Sequence, residues 1–493
     1  MSDRPWPENQ PDPTGEGISP FSPGGLESEV LESVEEIQQD LSQLFLGDDQ
    51  VCQPIDFQQE QANGRFSKGR RQKAAIVLLM LWGTVIALHL IPGGFWFVMA
   101  FTGLLSIQAV RMLLASPSTL SGNLAIAPNN QSNNQWPFVS LLIAAKNEEV
   151  VITHLVENIC QLDYPADRYE VWVVDDHSTD RTPTILAELS AKYPQLKVLR
   201  RDQNASGGKS GALNQVLPLT QGEFIGVFDA DAQITQDLLK RVLPCFQPAK
   251  VGAVQVRKAI ANQSVNFWTK GQAVEMALDS AFQQQRIAIG GIGELRGNGQ
   301  FMRRQALENC GGWNEETITD DLDLTVRLHL NQWDIEFVLM PAVWEEGVTK
   351  MVSLWHQRNR WAEGGYQRYL DYWDLIIGNR LGVNKTIDLL GFFFIQYLLP
   401  TAAIPDYLIG IILHKLPLTT PLTIFGFFLS SIGFWLGLRR TQETSFLTKV
   451  IETMRGSIYM GHWLVVMGFT TTRMAFLPKR LKWVKTVHTG MNS

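Results

Sequence analysis

Cysteine is scarce in this 493-residue sequence. The four residues, Cys52, Cys160, Cys245 and Cys310, lie far apart and form no C-x-x-C pair. That excludes a disulfide scaffold, a zinc ribbon and an iron–sulfur site, and it fits a reducing compartment. Charge is also sparse, at 18% against 45% hydrophobic residues, too apolar a balance for a disordered chain. Yet a mean hydropathy of −0.03 excludes a protein that is mostly membrane-embedded. Soluble and membrane parts are averaged together, in a chain long enough for about three ordinary domains. No signal-peptide core opens the sequence, which excludes an export signal.

The charge is unevenly spread. Residues 1–64 contain 14 Asp or Glu and one basic residue, Arg4, a net of −13 that leaves +6 on the remainder of a chain whose total is −7. This acidic tail is rich in Pro, Gly, Gln and Ser, and its first part is expected to be disordered. Within it, Val30, Val34, Ile37, Leu41 and Leu44 fall at helical spacing over 27–46, compatible with a short amphipathic helix or a merely solvated face.

The basic cluster RFSKGRRQK (65–73) runs directly into AAIVLLMLWGTVIALHLI (74–91), 18 residues without Asp, Glu, Lys or Arg. A second apolar run follows Pro92 and the glycines after it, up to about Leu114. These lengths predict a transmembrane hairpin over 65–115. The five Lys or Arg ahead of it place the N-terminus in the cytoplasm. Apolar segments return at 387–413, 417–438 and 456–475, predicting a C-terminal membrane region over 387–475 and a basic tail over 476–493. Arg439, Arg440 and Lys449 mark the loop after the second of these as cytoplasmic. KRLKWVK (479–485) marks the tail likewise, which conflicts with a full span at 456–475.

Between the membrane parts, FVSLLIAA (138–145), YEVWVVDD (169–176), LKVLRR (196–201) and EFIGVFDADA (223–232) read as strands separated by helical patterns. Continuous apolar runs of this kind indicate strands buried on both faces, so the fold class is α/β with a mostly parallel sheet. Ligands in such sheets sit beyond the carboxyl ends of the strands.

Polar residues cluster at those ends. Asp175 and Asp176, followed by His177-Ser178-Thr179-Asp180, either offer a carboxylate to a nucleobase or simply turn the chain and cap the next helix. Asp229 and Asp231 can hold one hard divalent cation, Mg2+ or Mn2+, together with substrate phosphates. NASGGKSGALNQ (204–215) is not a P-loop, because Gln203 stands where that motif requires glycine. It leaves a glycine-flexed loop whose Lys209 can approach a phosphate or sit on the surface. In Thr319-Asp320-Asp321, Asp321 is either a general base for an acceptor hydroxyl or part of a helix cap. Gln357, Arg360 and Trp361 form a Q-x-x-R-W string in a segment (353–373) suited to the membrane interface. There, arginine can stabilise a departing diphosphate and tryptophan can offer a face to sugar or acceptor.

The ordered set D-D-H-S-T-D (175–180), D-A-D (229–231), T-D-D (319–321) and Q-R-N-R-W (357–361) resembles the family 2 inverting glycosyltransferases, a group that includes cellulose, chitin and hyaluronan synthases and ceramide glucosyltransferases. The resemblance covers about residues 137–365. It implies a cytoplasmic GT-A nucleotide-sugar-binding domain over 137–352, flanked by N- and C-terminal transmembrane helices. Carried onto these positions, it implies that Asp175 and Asp176 bind uridine and that Lys209 and Gln357 belong to the nucleotide site. Asp229 and Asp231 would hold nucleotide and metal, Asp321 would be the base, Arg360 would face the diphosphate and Trp361 would lie near the acceptor. One departure is T-D-D where many members carry T/E-E-D, which touches only contacts next to the base.

The whole-chain pattern, with an acidic tail, GRRQKAAIVLLMLW before a hairpin and a small hydrophobic C-terminal part, is similar to cyanobacterial members that move one glucose from UDP-glucose to diacylglycerol. Those enzymes prepare galactolipid precursors. The resemblance implies a plasma or thylakoid membrane, a membrane-lipid acceptor and no nucleic-acid partner. Two other family activities remain open, a processive polysaccharide synthase and a ceramide-type glucosyltransferase. About five apolar segments are few for the channel of the former. A non-catalytic scaffold would be expected to have lost carboxylates, and none is missing.

Overall fold

The computed structural model describes residues 55–62, 64, 66–117 and 136–477. The stretch at 27–46 and the tail from 478 onward lie outside them. Seven strands, β1 (Val139–Ala145), β2 (Tyr169–Asp175), β3 (Leu196–Arg200), β4 (Phe224–Phe228), β5 (Val251–Ile260), β6 (Gln300–Arg303) and β7 (Asp334–Glu345), form one sheet. Their order is β3-β2-β1-β4-β6-β5-β7. β1 runs parallel to β2 and β4, β2 to β3, and β5 to β7. Only β6 is antiparallel, to both β4 and β5.

Alternation along β1 explains its unbroken apolar run. Leu141 and Ile143 enter a core on one face with Val171 and Phe228, while Leu142 enters a core on the other with Val174 and Ile225. With both faces covered, a strand has no solvent side on which to place polar residues. The carboxyl ends of β1, β2 and β4 consequently point the same way and release their first polar residues at one edge.

The helices that shape the site are α1 (Arg70–Leu90), α2 (Gly94–Leu114), α3 (Gly208–Val216), α4 (Phe267–Ala288), α5 (Asp320–Leu330), α6 (Met351–Ile377), α7 (Val383–Phe393), α8 (Leu399–Leu413), α9 (Thr420–Thr441) and α10 (Phe446–Phe476). One turn of π-helix, Phe394–Leu398, joins α7 to α8. Among the described residues, four helical stretches are long and apolar enough to cross a membrane: α1, α2, the continuous Val383–Leu413, and α9. The segment predicted at 456–475 is instead the second half of a 31-residue helix, α10. Lys449, Glu452 and Arg455 in its first half, and the polar run Thr470–Arg473, keep it below that level.

Three seams tie the flanking segments to α4 and α6. At the start of α1, Arg70 grips Asp371 of α6 with Nε 2.6 Å from Oδ1 and Nη2 2.5 Å from Oδ2, the bidentate geometry that guanidinium and carboxylate favour. Phe57 is fully buried, its ring centroid 5.9 Å from that of Phe66 and 6.2 Å from that of Tyr372, so the end of the acidic segment is docked on the same core. The third seam is backbone against backbone. A Cβ on Gly437 of α9 would lie 2.0 Å from the carbonyl oxygen of Ala277 in α4, and one on Gly433 would lie 2.4 Å from Leu278 Cδ1. Only glycine admits this approach, as in small-xxx-small membrane contacts.

Candidate active site

β2 ends in two adjacent carboxylates with different fates. Asp175 is 1% exposed and accepts a hydrogen bond from Ser178 N at 2.9 Å, while Arg200 Nε lies 3.6 Å from its other oxygen. It holds the turn and does not line the cavity described below. Asp176 does line it, with Arg201 Nη1 2.7 Å and Lys146 Nζ 3.2 Å away. Asn147, turned to a φ of 57° just past β1, braces this loop by accepting from Thr179 N at 2.7 Å.

The chain leaving β4 presents Asp229 and Asp231. Lys209, in the first turn of α3, places Nζ 2.6 Å from Asp229 Oδ1. Burial opposes the lysine charge, but Asp229, Asp320 and Asp321 outweigh it, and its pKa is raised. Asp231 accepts from Glu346 N at 2.9 Å. Burial, then the charges of Glu345 and Asp229, push its pKa up to about 7.

Asp320 and Asp321 begin α5, where the helix N-terminus favours negative charge. Asp321 accepts from Leu322 N at 2.9 Å. Burial and the neighbouring Asp320 lift its pKa to about 6, against the pull of Lys209 and Lys258. The opposite wall is Gly297, at a φ of 82°, whose missing Cβ would stand 3.2 Å from Asp321 Oδ2. A side chain there would crowd the carboxylate.

α6 brings Gln357, Arg360 and Trp361 to the same cavity. Burial lowers the Arg360 pKa, while Asp229 and Asp321 raise it, so the guanidinium faces both carboxylates. Its neighbour in the motif, Arg358, does something else. It is fully buried, ion-paired to Glu275 at 2.5 Å, and its guanidinium carbon lies 4.1 Å from the Trp361 ring centroid. Lys258 Nζ is 5.4 Å from the same ring. Trp361 is thereby fixed by cation–π contacts.

Asp176, Lys209, Asp229, Asp231, Asp321 and Arg360 all line one cavity of about 1060 Å³. Of the residues singled out by sequence, only Asp175 stands off it. Lys258 and Glu345 also line it and belong to none of the sequence motifs. Lys258, at the end of β5, is 3.0 Å from Glu345 Oε2, and buried Asn298 donates to the same oxygen at 3.3 Å.

Among the described residues, no group of three or more His, Cys, Asp or Glu could by itself hold a metal ion. Asp229 and Asp231 nonetheless fit a hard cation. They are oxygen donors two residues apart, the charges of Glu345 and Asp229 add to burial in raising the pKa of Asp231, and Mg2+ ordinarily completes its shell with phosphate and water.

A cavity that gathers carboxylates from strand ends with a lysine and an arginine from adjoining helices, beside helices fit for a bilayer, is suited to group transfer at a membrane. The family model "Glycosyltransferase like family 2" matches residues 137–364. The chain is 60% identical over 429 residues to the beta-monoglucosyldiacylglycerol synthase of Trichormus variabilis, covering 86% of this chain and 90% of that protein. It is 55% identical over 452 residues to the protein of the same name from Synechocystis sp., covering 90% and 92%. Among solved structures, the mannosyltransferase PcManGT from Pyrobaculum calidifontis, in complex with GDP-Man and Mn2+, aligns over 80% of this chain and 99% of that one, at 20% identity and a TM-score of 0.48. The chain belongs to the family 2 glycosyltransferases. Its mixed, mostly parallel seven-stranded sheet is the GT-A-like architecture expected from the motifs.

Proposed function

We propose that the enzyme transfers one glucose from UDP-glucose to the free hydroxyl of diacylglycerol, with inversion, giving a β-glucoside. The observation that carries this reading is the continuity of the cavity. Its polar end holds the carboxylates named above, and its other end is walled by Phe392, Leu399, Phe427, Phe434, Leu464 and Met467 from the C-terminal helices. One chamber thus joins a nucleotide-sugar site to an apolar slot, and the two closely related proteins are named for the glucolipid product.

Charge in the intervening stretch favours a neutral acceptor. Arg286 Nε lies 2.9 Å from Asp388, Arg296 Nη2 2.6 Å from Asp279 and Arg368 Nη1 2.9 Å from Glu294. Each of these three arginines has its own carboxylate, so among the described residues this stretch is balanced in charge, which suits a neutral acceptor.

In this reading Asp176 receives the nucleobase and Arg360 and Lys209 face the diphosphate. Asp229 and Asp231 would hold a divalent cation, Mg2+ or Mn2+, which when bound supplies further positive charge at the leaving group. Asp321 removes the acceptor proton, the freed oxygen bonds to the anomeric carbon, and the bond to UDP breaks with its electron pair leaving on the diphosphate. One displacement inverts the centre, so the α-linked donor gives a β product. Two spans before the sheet domain and two after it keep that domain and both chain ends on the cytoplasmic side. With α10 not counted as a full span, the basic tail falls on the cytoplasmic side that its charge predicts.

The test is transfer by the full chain in nanodiscs, with Mg2+, radiolabelled UDP-glucose or UDP-galactose, and diacylglycerol. An alkali-labile lipid bearing one β-glucose, absent with Asp321→Asn, is the expected product. A glucan-digestible polymer, or label from UDP-galactose alone, would overturn the assignment.

A further inference from the structure

Gln357 and Trp361 are one helical turn apart, so they share a face of α6, and both line the cavity. Arg358 stands about 100° round the helix from Gln357. Its side chain is fully buried and lies outside the cavity lining. It is nevertheless bound to the motif on both sides. Its Nη1 donates to Gln357 Oε1 at 3.2 Å, and its guanidinium carbon lies 4.1 Å from the Trp361 ring centroid.

The other partners of this arginine come from outside the motif. Its Nη2 is 2.5 Å from Glu275 Oε2 of α4 and 3.1 Å from the Tyr459 hydroxyl of α10. Tyr459 donates to the same Glu275 oxygen at 3.2 Å. Trp463, one turn further along α10, donates from Nε1 to Glu275 Oε1 at 2.7 Å, and its ring centroid is 5.4 Å from the guanidinium carbon. Tyr459 comes this close to α4 because residue 271 is glycine, where a Cβ would lie 2.2 Å from the tyrosine Cδ2. Helices α4, α6 and α10 therefore meet at one planar cation, whose rigid fork sets directions that a lysine ammonium does not.

We propose that Arg358 is a positioning residue: held by Glu275 of α4 and Tyr459 of α10, it fixes the Trp361 ring as the wall against which the acceptor lies. This rests on the diacylglycerol reading above and on Trp361 serving the acceptor. The arginine itself touches no substrate. It acts through the ring, because a buried cation over an indole face restricts how that ring can turn. α10 lies beyond residue 364, where the family match ends. The part that steadies the motif is thus supplied by the C-terminal helices.

The test is a double-mutant cycle on the full chain in nanodiscs, reading KM for diacylglycerol, varied as its fraction of the lipid, against KM for UDP-glucose. Arg358→Lys, which keeps the charge and loses the fork, is expected to raise the diacylglycerol KM about tenfold and to leave the UDP-glucose KM unchanged. Trp361→Leu should raise the diacylglycerol KM as well. Added to Trp361→Leu, the lysine substitution should change it by less than about twofold, because the ring it acts through is gone. Tyr459→Phe removes one hydroxyl from the cluster and keeps the ring. If the lysine variant fails to fold, it repeats the cycle with an expected rise of about threefold, the worth of one hydrogen bond. An undiminished effect in the Trp361→Leu background, an equal rise in both KM values, or no rise at all would overturn the role of Arg358. A Trp361→Leu enzyme with the wild-type diacylglycerol KM, or a wild type that does not glucosylate diacylglycerol, would overturn the acceptor reading and this proposal with it.

Discussion

The ammonium of Lys209 lies 2.6 Å from Asp229 Oδ1, so a helix-borne cation sits on one of the two carboxylates suited to a divalent ion. The lysine and an incoming metal compete for the same negative charge. Lys209→Met removes the competitor. In the absence of nucleotide it is expected to bind Mn2+ about tenfold more tightly, ~1.4 kcal/mol, measured by titration calorimetry or Mn2+ resonance. Turnover should fall in the same variant, because the diphosphate loses a cation.

Asp321→Asn should lower kcat by about a thousandfold, within the range expected for a general base. Its thermal midpoint should stay level or rise, because the variant relieves a carboxylate held against burial and against Asp320. A matched loss of midpoint and activity would instead mark Asp321 as a packing residue.

The acid limb of activity follows from the same group. Its pKa near 6 means that lowering the pH protonates the base, so kcat/KM should fall below about pH 6 and level off above it. Asp320→Asn removes the neighbouring charge that raises this pKa, and the limb should move to lower pH. A pH–rate profile of both proteins decides it.

Glu275→Gln leaves Arg358 buried beside Trp361 without its counter-charge. Breaking a buried pair by removing one partner costs about 3–5 kcal/mol, so a large drop in thermal midpoint is expected. Glu275→Gln with Arg358→Met together should recover part of it, a comparison that thermal unfolding in detergent can read.

The strands most legible in the sequence were those buried on both faces. β1, β2 and β4 announce themselves as apolar runs, and their ends gave Asp176, Asp229 and Asp231. Two kinds of feature were not legible. Adjacent residues on a strand point to opposite sides, so the pair Asp175-Asp176 cannot say by itself which carboxylate reaches the cavity; the registry of β2 and the Ser178 turn decide it. Lys258 and Glu345 come from β5 and β7, which lie far apart in sequence and are joined by pairing, Ile260 opposite Glu345. Likewise Q-R-N-R-W shows two arginines, but only the three-dimensional packing separates Arg360, facing the cavity, from Arg358, sealed against Glu275.

The glycine seam between α4 and α9 sets a limit on modularity. The stretch matched by the family model, 137–364, contains every motif carboxylate but none of α9. Cut out at those boundaries, α4 would turn Ala277, Leu278 and Phe282 toward water, where Gly433, Phe434 and Gly437 now cover them. The recognisable sequence unit and the unit that can fold are therefore different lengths of chain, and the membrane helices serve as the missing wall of the catalytic domain as well as its anchor.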